Sequence, residues 1–240
     1  MAKVTILSGA GISAESGIST FSDEDGLWEN HDIADICSSG CLDINRENTI
    51  KFYDMLRVNL KNKQPNHAHI VIAQLKNKYP NDIAVITQNV DDMFERAECK
   101  DILHLHGFLQ ELRCEKCNTI VNIEYKEQFE KYENCSECNN LLRPNIVFFG
   151  EMAPKYQDMY KEFDDCEVFV VIGTSGAVIH TDMFLNPQIK LSILNNLQES
   201  SFINDSVYSK VLYKKATLAI DEIASDIEKY LEFNLISSYK

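Results

Sequence analysis

The residues of this chain best suited to chemistry are two cysteine pairs, a glycine-rich turn and two histidines set two positions apart. Cys114-Glu-Lys-Cys117 and Cys135-Ser-Glu-Cys138 are CxxC pairs with 17 residues between them. A two-residue gap lets a tight turn aim both sulfurs at one ion, and two such turns complete a tetrahedron. The alternatives are a redox dithiol or a chance pairing; ribbon spacing in both pairs points to zinc. Four thiolates leave no open coordination position, so the predicted ion is structural. Cys37, Cys41, Cys99 and Cys166 have no comparable partners and read as ordinary half-buried thiols.

Gly9-Ala10-Gly11-Ile12-Ser13-Ala14-Glu15-Ser16-Gly17 follows an apolar run and opens toward a helix, as a nucleotide-phosphate turn does. Glycines let backbone approach a pyrophosphate, and exposed amides would face its charge. No Gly-Lys-Ser/Thr follows, so this is not a Walker loop, and alone it reads equally as a plain tight turn. Its company sharpens it. Thr87-Gln88-Asn89-Val90-Asp91 ends a second apolar run, and His104-Leu105-His106-Gly107 lies a short helix further on. An amide, a carboxylate and an imidazole at adjacent strand ends could orient a ribose and supply a general base.

The elements that must position these groups are legible as apolar runs. Val4–Leu7, Ile83–Thr87 and Val168–Ile172 read as buried strands, with a fourth over Ile189–Leu194 ending in Asn195-Asn196. Ala68, Val71, Ile72 and Leu75 keep helical spacing, as do Leu218, Ile220, Ile223, Ile227 and Leu231 near the C-terminus. Buried strands alternating with helices predict an α/β fold, a Rossmann-like parallel sheet with helices on both faces. Ligands of such sheets bind beyond the strands' carboxyl ends. Residues 31–65, helical with Phe52, Tyr53, Leu56 and Leu60 on one face, and the cysteine-bearing 111–143 interrupt the pattern. They predict a small domain of helical insertion and zinc ribbon, leaving 1–30, 66–110 and 144–240 as the nucleotide-binding body.

Composition bounds the partners. The 240 residues are 45% hydrophobic and 10% aromatic, enough apolar surface to exclude global disorder. With 23 basic against 37 acidic residues the net charge is −14, which argues against nucleic acid and anionic membrane as partners and suits a basic one. The apolar run at 4–7 is too short for a signal-peptide core, and no window of about 18 apolar residues occurs. A cytoplasmic location is the expectation, and in a reducing compartment clustered cysteines favour metal over disulfides.

Taken together, GAGISAESGI at 9–18, Gly26-Leu27-Trp28, TQNVDD at 87–92, LHG at 105–107, both CxxC pairs, RPNIVFFGE at 143–151 and GTS at 173–175 make the chain resemble the sirtuins. These are NAD-dependent protein lysine deacylases, here of the bacterial type with a single catalytic domain. The resemblance implies NAD as co-substrate, one structural zinc and acyl-lysine proteins or peptides as substrates. It also implies transfer of the acyl group to ADP-ribose, yielding nicotinamide, deacylated lysine and O-acyl-ADP-ribose. By similarity Gly9, Ala10, Gly11 and Ser13 cradle the phosphates, Glu15 and Gly17 order the loop, and Phe21 lies near the nicotinamide ribose. Gln88, Asn89 and Asp91 bind and orient ribose and nicotinamide, and His106 deprotonates a ribose hydroxyl. Val147, Phe148, Phe149, Gly150 and Glu151 clamp the peptide by strand addition, and Gly173, Thr174, Ser175, Asn195 and Asn196 hold the adenosine end.

The chain departs from the family pattern at several places. Ser22 replaces an arginine, Met93-Phe94 a leucine-histidine, Glu98 a glycine, Ala153-Pro154 a leucine-proline, and Gly176-Ala177 a hydrophobic-Gln pair. Members that accept succinyl-type chains carry Tyr-x-x-Arg in the helical insertion; here Tyr53 is followed at that spacing by Leu56, with Arg57 one residue later. One residue is about 100° of helix rotation. Tyr53 and Leu56 are therefore expected to line an acyl pocket for neutral, longer chains. Two other readings of the same fold stand beside deacylation: an NAD-cleaving hydrolase or ADP-ribosyltransferase, and a non-catalytic NAD-sensing scaffold.

Overall fold

Val4-Thr5-Ile6-Leu7-Ser8 forms the first strand, β1, and is buried at every position, because strands flank it on both edges and packed side chains cover both faces. The computed structural model describes residues 2–19 and 33–237. Phe21, Ser22 and Gly26-Leu27-Trp28 lie outside these described residues. After β1 (Val4–Ser8) come α1 (Gly11–Ala14), α2 (Ile33–Cys37), α3 (Cys41–Ile44), α4 (Arg46–Leu60) and α5 (His67–Lys78). They are followed by β2 (Ile83–Thr87), α6 (Met93–Arg96), β3 (Ile102–His104), β4 (Gly107–Cys114), β5 (Ile120–Asn122) and β6 (Leu142–Ile146). The chain continues through α7 (Tyr156–Lys161), β7 (Val168–Ile172), β8 (Leu191–Asn196), β9 (Lys210–Tyr213) and α8 (Ala216–Ser237).

Six strands make one parallel sheet in the order β3-β2-β1-β7-β8-β9, with Ile6 beside Val85 on one edge and Val170 on the other. The chain winds outward from β1 in both directions, so the order reverses between β1 and β7. That reversal opens a crevice at the carboxyl ends of these strands, where open α/β sheets bind ligands. Alternate side chains serve two cores. Val4 and Ile6 pack with α5 and α8, whereas Leu7 packs with Phe163, Phe169 and Phe184 under α7. Phe163 stacks on Phe184 at 4.3 Å between centroids, so aromatic rings and short helical turns cover this second face.

The C-terminal helix buries Ala219, Ile220, Ile223, Ile227 and Leu231, a stripe at helical spacing. Leu218, read from the sequence as part of that stripe, is instead 67% exposed. It sits two residues, about 200°, from Ile220. The fourth strand starts at Leu191 rather than Ile189, whose amide closes a turn onto the Asn186 carbonyl. The four cysteines expected to be half-buried, Cys37, Cys41, Cys99 and Cys166, are all buried. The strands β3 and β9, too short for a clear apolar signal, complete the sheet's two edges.

A second sheet, antiparallel and ordered β5-β4-β6, carries the cysteines. It begins at Gly107, before residue 111, and ends at Ile146, after residue 143. Among the described residues its own buried core is Leu112, Cys114, Ile123, Cys135 and Leu142, while α4 packs Phe52, Tyr53 and Leu60 against Leu109, Ile146 and Phe148.

Candidate active site

The loops after β1 and β7 touch backbone to backbone. A Cβ on Gly9 would meet the Gly173 carbonyl oxygen at 2.8 Å, and one on Gly11 would meet Gly173 Cα at 2.7 Å. Gly173 itself has φ of +65° with no room for a side chain. These three glycines therefore close the floor of the crevice. The expectation of exposed amides along the turn is corrected here. Gly9 donates to Ile172, Gly11 to Gly173, Ile12 to Gly9 and Ser13 to Ala10, all backbone carbonyls. The amide of Ala10 has no backbone partner among the described residues.

Ser13, 1% exposed, is the hub of the site. Its hydroxyl donates to Asp91 Oδ2 at 2.8 Å and accepts from Asn89 Nδ2 at 3.1 Å. His69 of α5 supplies the second donor. The Asn66 amide points at its Nδ1 (3.3 Å), so Nε2 carries the proton and faces Ser13 Oγ at 3.4 Å. One donor and two lone pairs are all used. Asp91 Oδ1 accepts from the Met93 amide, and burial raises its pKa against the pull of these two hydrogen bonds. Ser13 thus holds the carboxylate and amide of two loops in fixed relation, rather than offering its side chain outward.

The two histidines differ in their partners. His104 meets the Asn89 carbonyl at 3.1 Å and the Glu95 carboxylate at 2.7 Å. It anchors the Asn89 backbone. His106 Nδ1 lies 3.0 Å from the Gln88 carbonyl, which fixes the tautomer and leaves the lone pair on Nε2. Burial lowers the pKa of His106, although the Gln88 bond works to raise it. A half-buried neutral imidazole with a fixed tautomer is suited to general-base work. Gln88 also reaches across the crevice to Thr174 Oγ1 at 3.1 Å.

The other residues expected at the cofactor order loops. Glu15 takes both the amide and hydroxyl of Thr217, at the start of α8, and Gly17 has φ of +74°. The Asn196 side chain bonds both the Thr174 amide and carbonyl, and Asn195 Nδ2 bonds the carbonyls of Leu212 and Lys214. Ser175 stays exposed beside them.

The segment 147–151 is more tied down than an open strand edge. Val147 donates to the His106 carbonyl, and Phe149 pairs through its amide with Cys37 and through its carbonyl with Ser39. Glu151 folds back to accept from the Phe148 amide and both terminal nitrogens of Arg143. Burial would raise the Glu151 pKa, yet the guanidinium holds it low. Among the described residues the Val147 carbonyl and Gly150 amide have no hydrogen-bond partner.

Tyr53 is buried, stacked on Phe148 at 5.5 Å, with its hydroxyl on the Cys37 thiol. Burial pushes its pKa far above the ordinary range. Its phenol is thus a core group and not an open pocket wall, which corrects that part of the expectation; Leu56 is partly buried against the same cluster. Arg57 is 0% exposed. It pairs with Asp54 and donates to the Leu109 carbonyl at 2.6 Å, while Asp54 accepts from the amides of Gln128 and Phe129. The arginine is a rivet between α4 and the cysteine-bearing segment.

Cys114, Cys117, Cys135 and Cys138 place their sulfurs within 4.8 Å of one another. Neighbouring sulfurs stand 3.4–3.6 Å apart, close to the edge of a tetrahedron with bonds of about 2.3 Å. Each pair is closed by an asparagine at positive φ, Asn118 (60°) and Asn139 (57°). Backbone amides of Lys116, Cys117 and Glu137 point at the sulfurs. The donor set fits a structural zinc and nothing catalytic.

Sequence reasoning missed His69, Arg143 and Tyr156. Arg143 opens the RPNIVFFGE stretch but carries no assigned role there, and His69 had a local signal in the Asn66-x-x-His69 spacing that forms a capping box on α5. Tyr156 lies with its hydroxyl 3.2 Å from His106 Nε2, a contact across 50 residues that no pattern announces.

Comparison with known proteins agrees with this geometry. A family model described as "Sir2 family" matches residues 9–180. An "NAD-dependent protein deacylase" of Campylobacter jejuni is 46% identical over 233 residues, covering 97% of this chain and 98% of the relative. One from Helicobacter hepaticus is 39% identical, covering 96% and 99%. Among solved structures, a Sir2 homolog–NAD complex superposes with a TM-score of 0.84 at 32% identity, covering 95% of this chain and 90% of that one. A Sir2 complex with 2'-O-acetyl-ADP-ribose and a deacetylated p53 peptide has a TM-score of 0.74 at 27% identity, with coverage of 95% and 93%.

Proposed function

The chain belongs to the Sir2 family and is an NAD-dependent protein deacylase; we propose that it acts on acyl-lysine with His106 as the general base and NAD held across the β1–β7 crevice. The observation that carries the site assignment is the His106 imidazole, locked by the Gln88 carbonyl at Nδ1, next to a Ser13–Asn89–Asp91 network. When bound, NAD supplies a ribose carbon that becomes electrophilic as nicotinamide leaves.

The chain's own residues do the rest. The phosphates of NAD are assigned to the turn in which Gly9 and Gly11 lie backbone to backbone against Gly173, with Gln88 hydrogen-bonded to Thr174 beside it. Ser13 fixes Asn89 and Asp91 so that ribose and amide groups meet preset partners, which spares reorganisation during reaction. His106 Nε2 is the proton acceptor for a ribose hydroxyl. The Val147 carbonyl and Gly150 amide are the backbone groups offered to the acyl-lysine segment, and they read backbone more than sequence. The zinc holds the β5-β4-β6 sheet, from which His106 and the peptide segment depart.

Acyl preference follows from α4. Arg57 is buried and bound to Asp54 and the Leu109 carbonyl, so it is not the cation that would meet an acidic acyl chain, and Leu56 contributes apolar surface. Neutral acyl groups are therefore preferred over succinyl. His106→Ala tests the base directly, with an expected loss of about 10²–10⁴-fold in deacylation; full activity in that variant refutes the assignment. Leu56→Arg is expected to gain desuccinylation, and a wild type that already prefers succinyl-lysine refutes the pocket.

A further inference from the structure

The lone pair that the base needs is engaged in this structure by a second side chain. Because Nδ1 of His106 faces a carbonyl, its proton sits there and Nε2 accepts. The Tyr156 hydroxyl lies 3.2 Å from that Nε2, the two rings tilted 47° with centroids 6.2 Å apart. A neutral imidazole has one lone pair at Nε2, so it cannot hold the phenol and also take a proton from a ribose hydroxyl. Burial favours the neutral forms of both groups. The Gln88 carbonyl is the other polar group bearing on His106, and Tyr160 is the titratable neighbour of Tyr156.

The position of Tyr156 along the chain gives the contact a consequence. It opens α7, with its amide on the Ala153 carbonyl, five residues beyond Glu151 and the segment that offers Val147 and Gly150 to a peptide. Between them Met152 is 92% exposed. A peptide docking on 147–150 therefore bears on the same short stretch that carries the phenol.

We propose that Tyr156 is a latch on the catalytic base: its hydroxyl competes with the ribose hydroxyl for His106 Nε2 and must yield for the base to act. This rests on His106 being the base. Tyr156 is a positioning residue, acting through His106 and not on the reacting atoms. Among the described residues nothing else hydrogen-bonds His106 Nε2, so removing the phenolic oxygen frees the lone pair without emptying the space the ring fills.

The test is Tyr156→Phe, read two ways. Diethylpyrocarbonate acylates imidazole through a free lone pair, so in protein without NAD the carbethoxylation of His106, followed by mass spectrometry, should be at least about fivefold faster in the variant. Exposed His180 serves as the internal reference, and Tyr160→Phe should match wild type. Removing a competing hydrogen bond of ordinary strength should also lower KM for NAD by about two- to tenfold. Equal His106 modification rates in wild type and Tyr156→Phe, or a KM that rises, overturn the latch. A His106→Ala enzyme with full deacylation would instead overturn the base assignment, and the modification rates, read without turnover, keep the two failures apart.

Discussion

Ser13 Oγ donates to Asp91 Oδ2 at 2.8 Å, joining the loop that follows the first strand to the loop that follows the second. The bond makes one unit of two segments 78 residues apart, and Asn89 and His69 close around the same oxygen. Ser13→Ala leaves Asp91 buried with a single remaining donor and strips acceptors from Asn89 and His69. Unfolding in urea should show a loss of about 1–3 kcal/mol. Deacylation should fall by roughly tenfold or more, because the displaced groups, Asn89 and Asp91, are those we assign to the ribose. A variant with wild-type stability and rate would show that the hub is incidental.

Acid sensitivity follows from the buried histidines. Burial lowers His69 to about 4 and moves His106 down from its ordinary value of 6.5. The folded protein then binds fewer protons than the unfolded chain, so this stability is present above pH 6.5 and is lost as pH falls toward 4. His69 alone accounts for about 3 kcal/mol over that window. Urea midpoints from pH 7 to 4 should fall steeply in wild type and less so in His69→Gln, whose amide keeps a donor and an acceptor. The rate should hold to below pH 6.5 on the acid side, since His106 stays neutral there.

Much of this was legible beforehand, for physical reasons. Strands buried on both faces are mostly apolar, so β1, β2 and β7 appear as runs that need no alternation. The cysteine spacing carries its own geometry. What the sequence hides is direction: Tyr53 and Arg57 share a helix with Leu56, but only packing shows that the phenol ends on Cys37 and the guanidinium on the Leu109 carbonyl. The glycine turn read as an amide cradle has most of its amides already paired, those of Gly9 and Gly11 with Ile172 and Gly173 and those of Ile12 and Ser13 with the turn's own carbonyls.

Glu98 illustrates a departure with a measurable cost. It stands where the family pattern has glycine, and its φ is +61°. A side chain in the left-handed region is strained, by about 1 kcal/mol or somewhat more. Glu98→Gly should raise stability by roughly 0.5–1 kcal/mol, since glycine also loosens the unfolded chain. A thermal shift downward would contradict the strain.

Arg57 and Asp54 form a buried pair that joins α4 to the segment leading into the second cysteine knuckle. Arg57→Met leaves the buried carboxylate without its counter-ion and should cost about 3–5 kcal/mol. Its acetyl-to-succinyl preference should be unchanged, since the guanidinium is buried against Asp54 and the Leu109 carbonyl. A selective change in succinyl-lysine turnover would place Arg57 in the pocket.

The zinc carries the small sheet. The core around the cysteines is small, built on Leu112, Cys114, Ile123, Cys135 and Leu142, and structural zinc contributes on the order of 10 kcal/mol to its folding unit. One zinc per chain is expected, with release in Cys114→Ser and with protease cleavage appearing between 115 and 140 after chelation. A zinc-free protein that resists cleavage there would refute the site.

The most direct test of the whole account is a stoichiometry. Purified protein is incubated with an acetyl-lysine peptide, with NAD, and with both, and nicotinamide and deacylated peptide are counted by mass spectrometry. Deacylation predicts the two products in equal amounts, together with O-acetyl-ADP-ribose, and only when both substrates are present. Nicotinamide released from NAD without peptide would make the chain an NAD hydrolase, and silence in every mixture would make it a scaffold; either result contradicts the account.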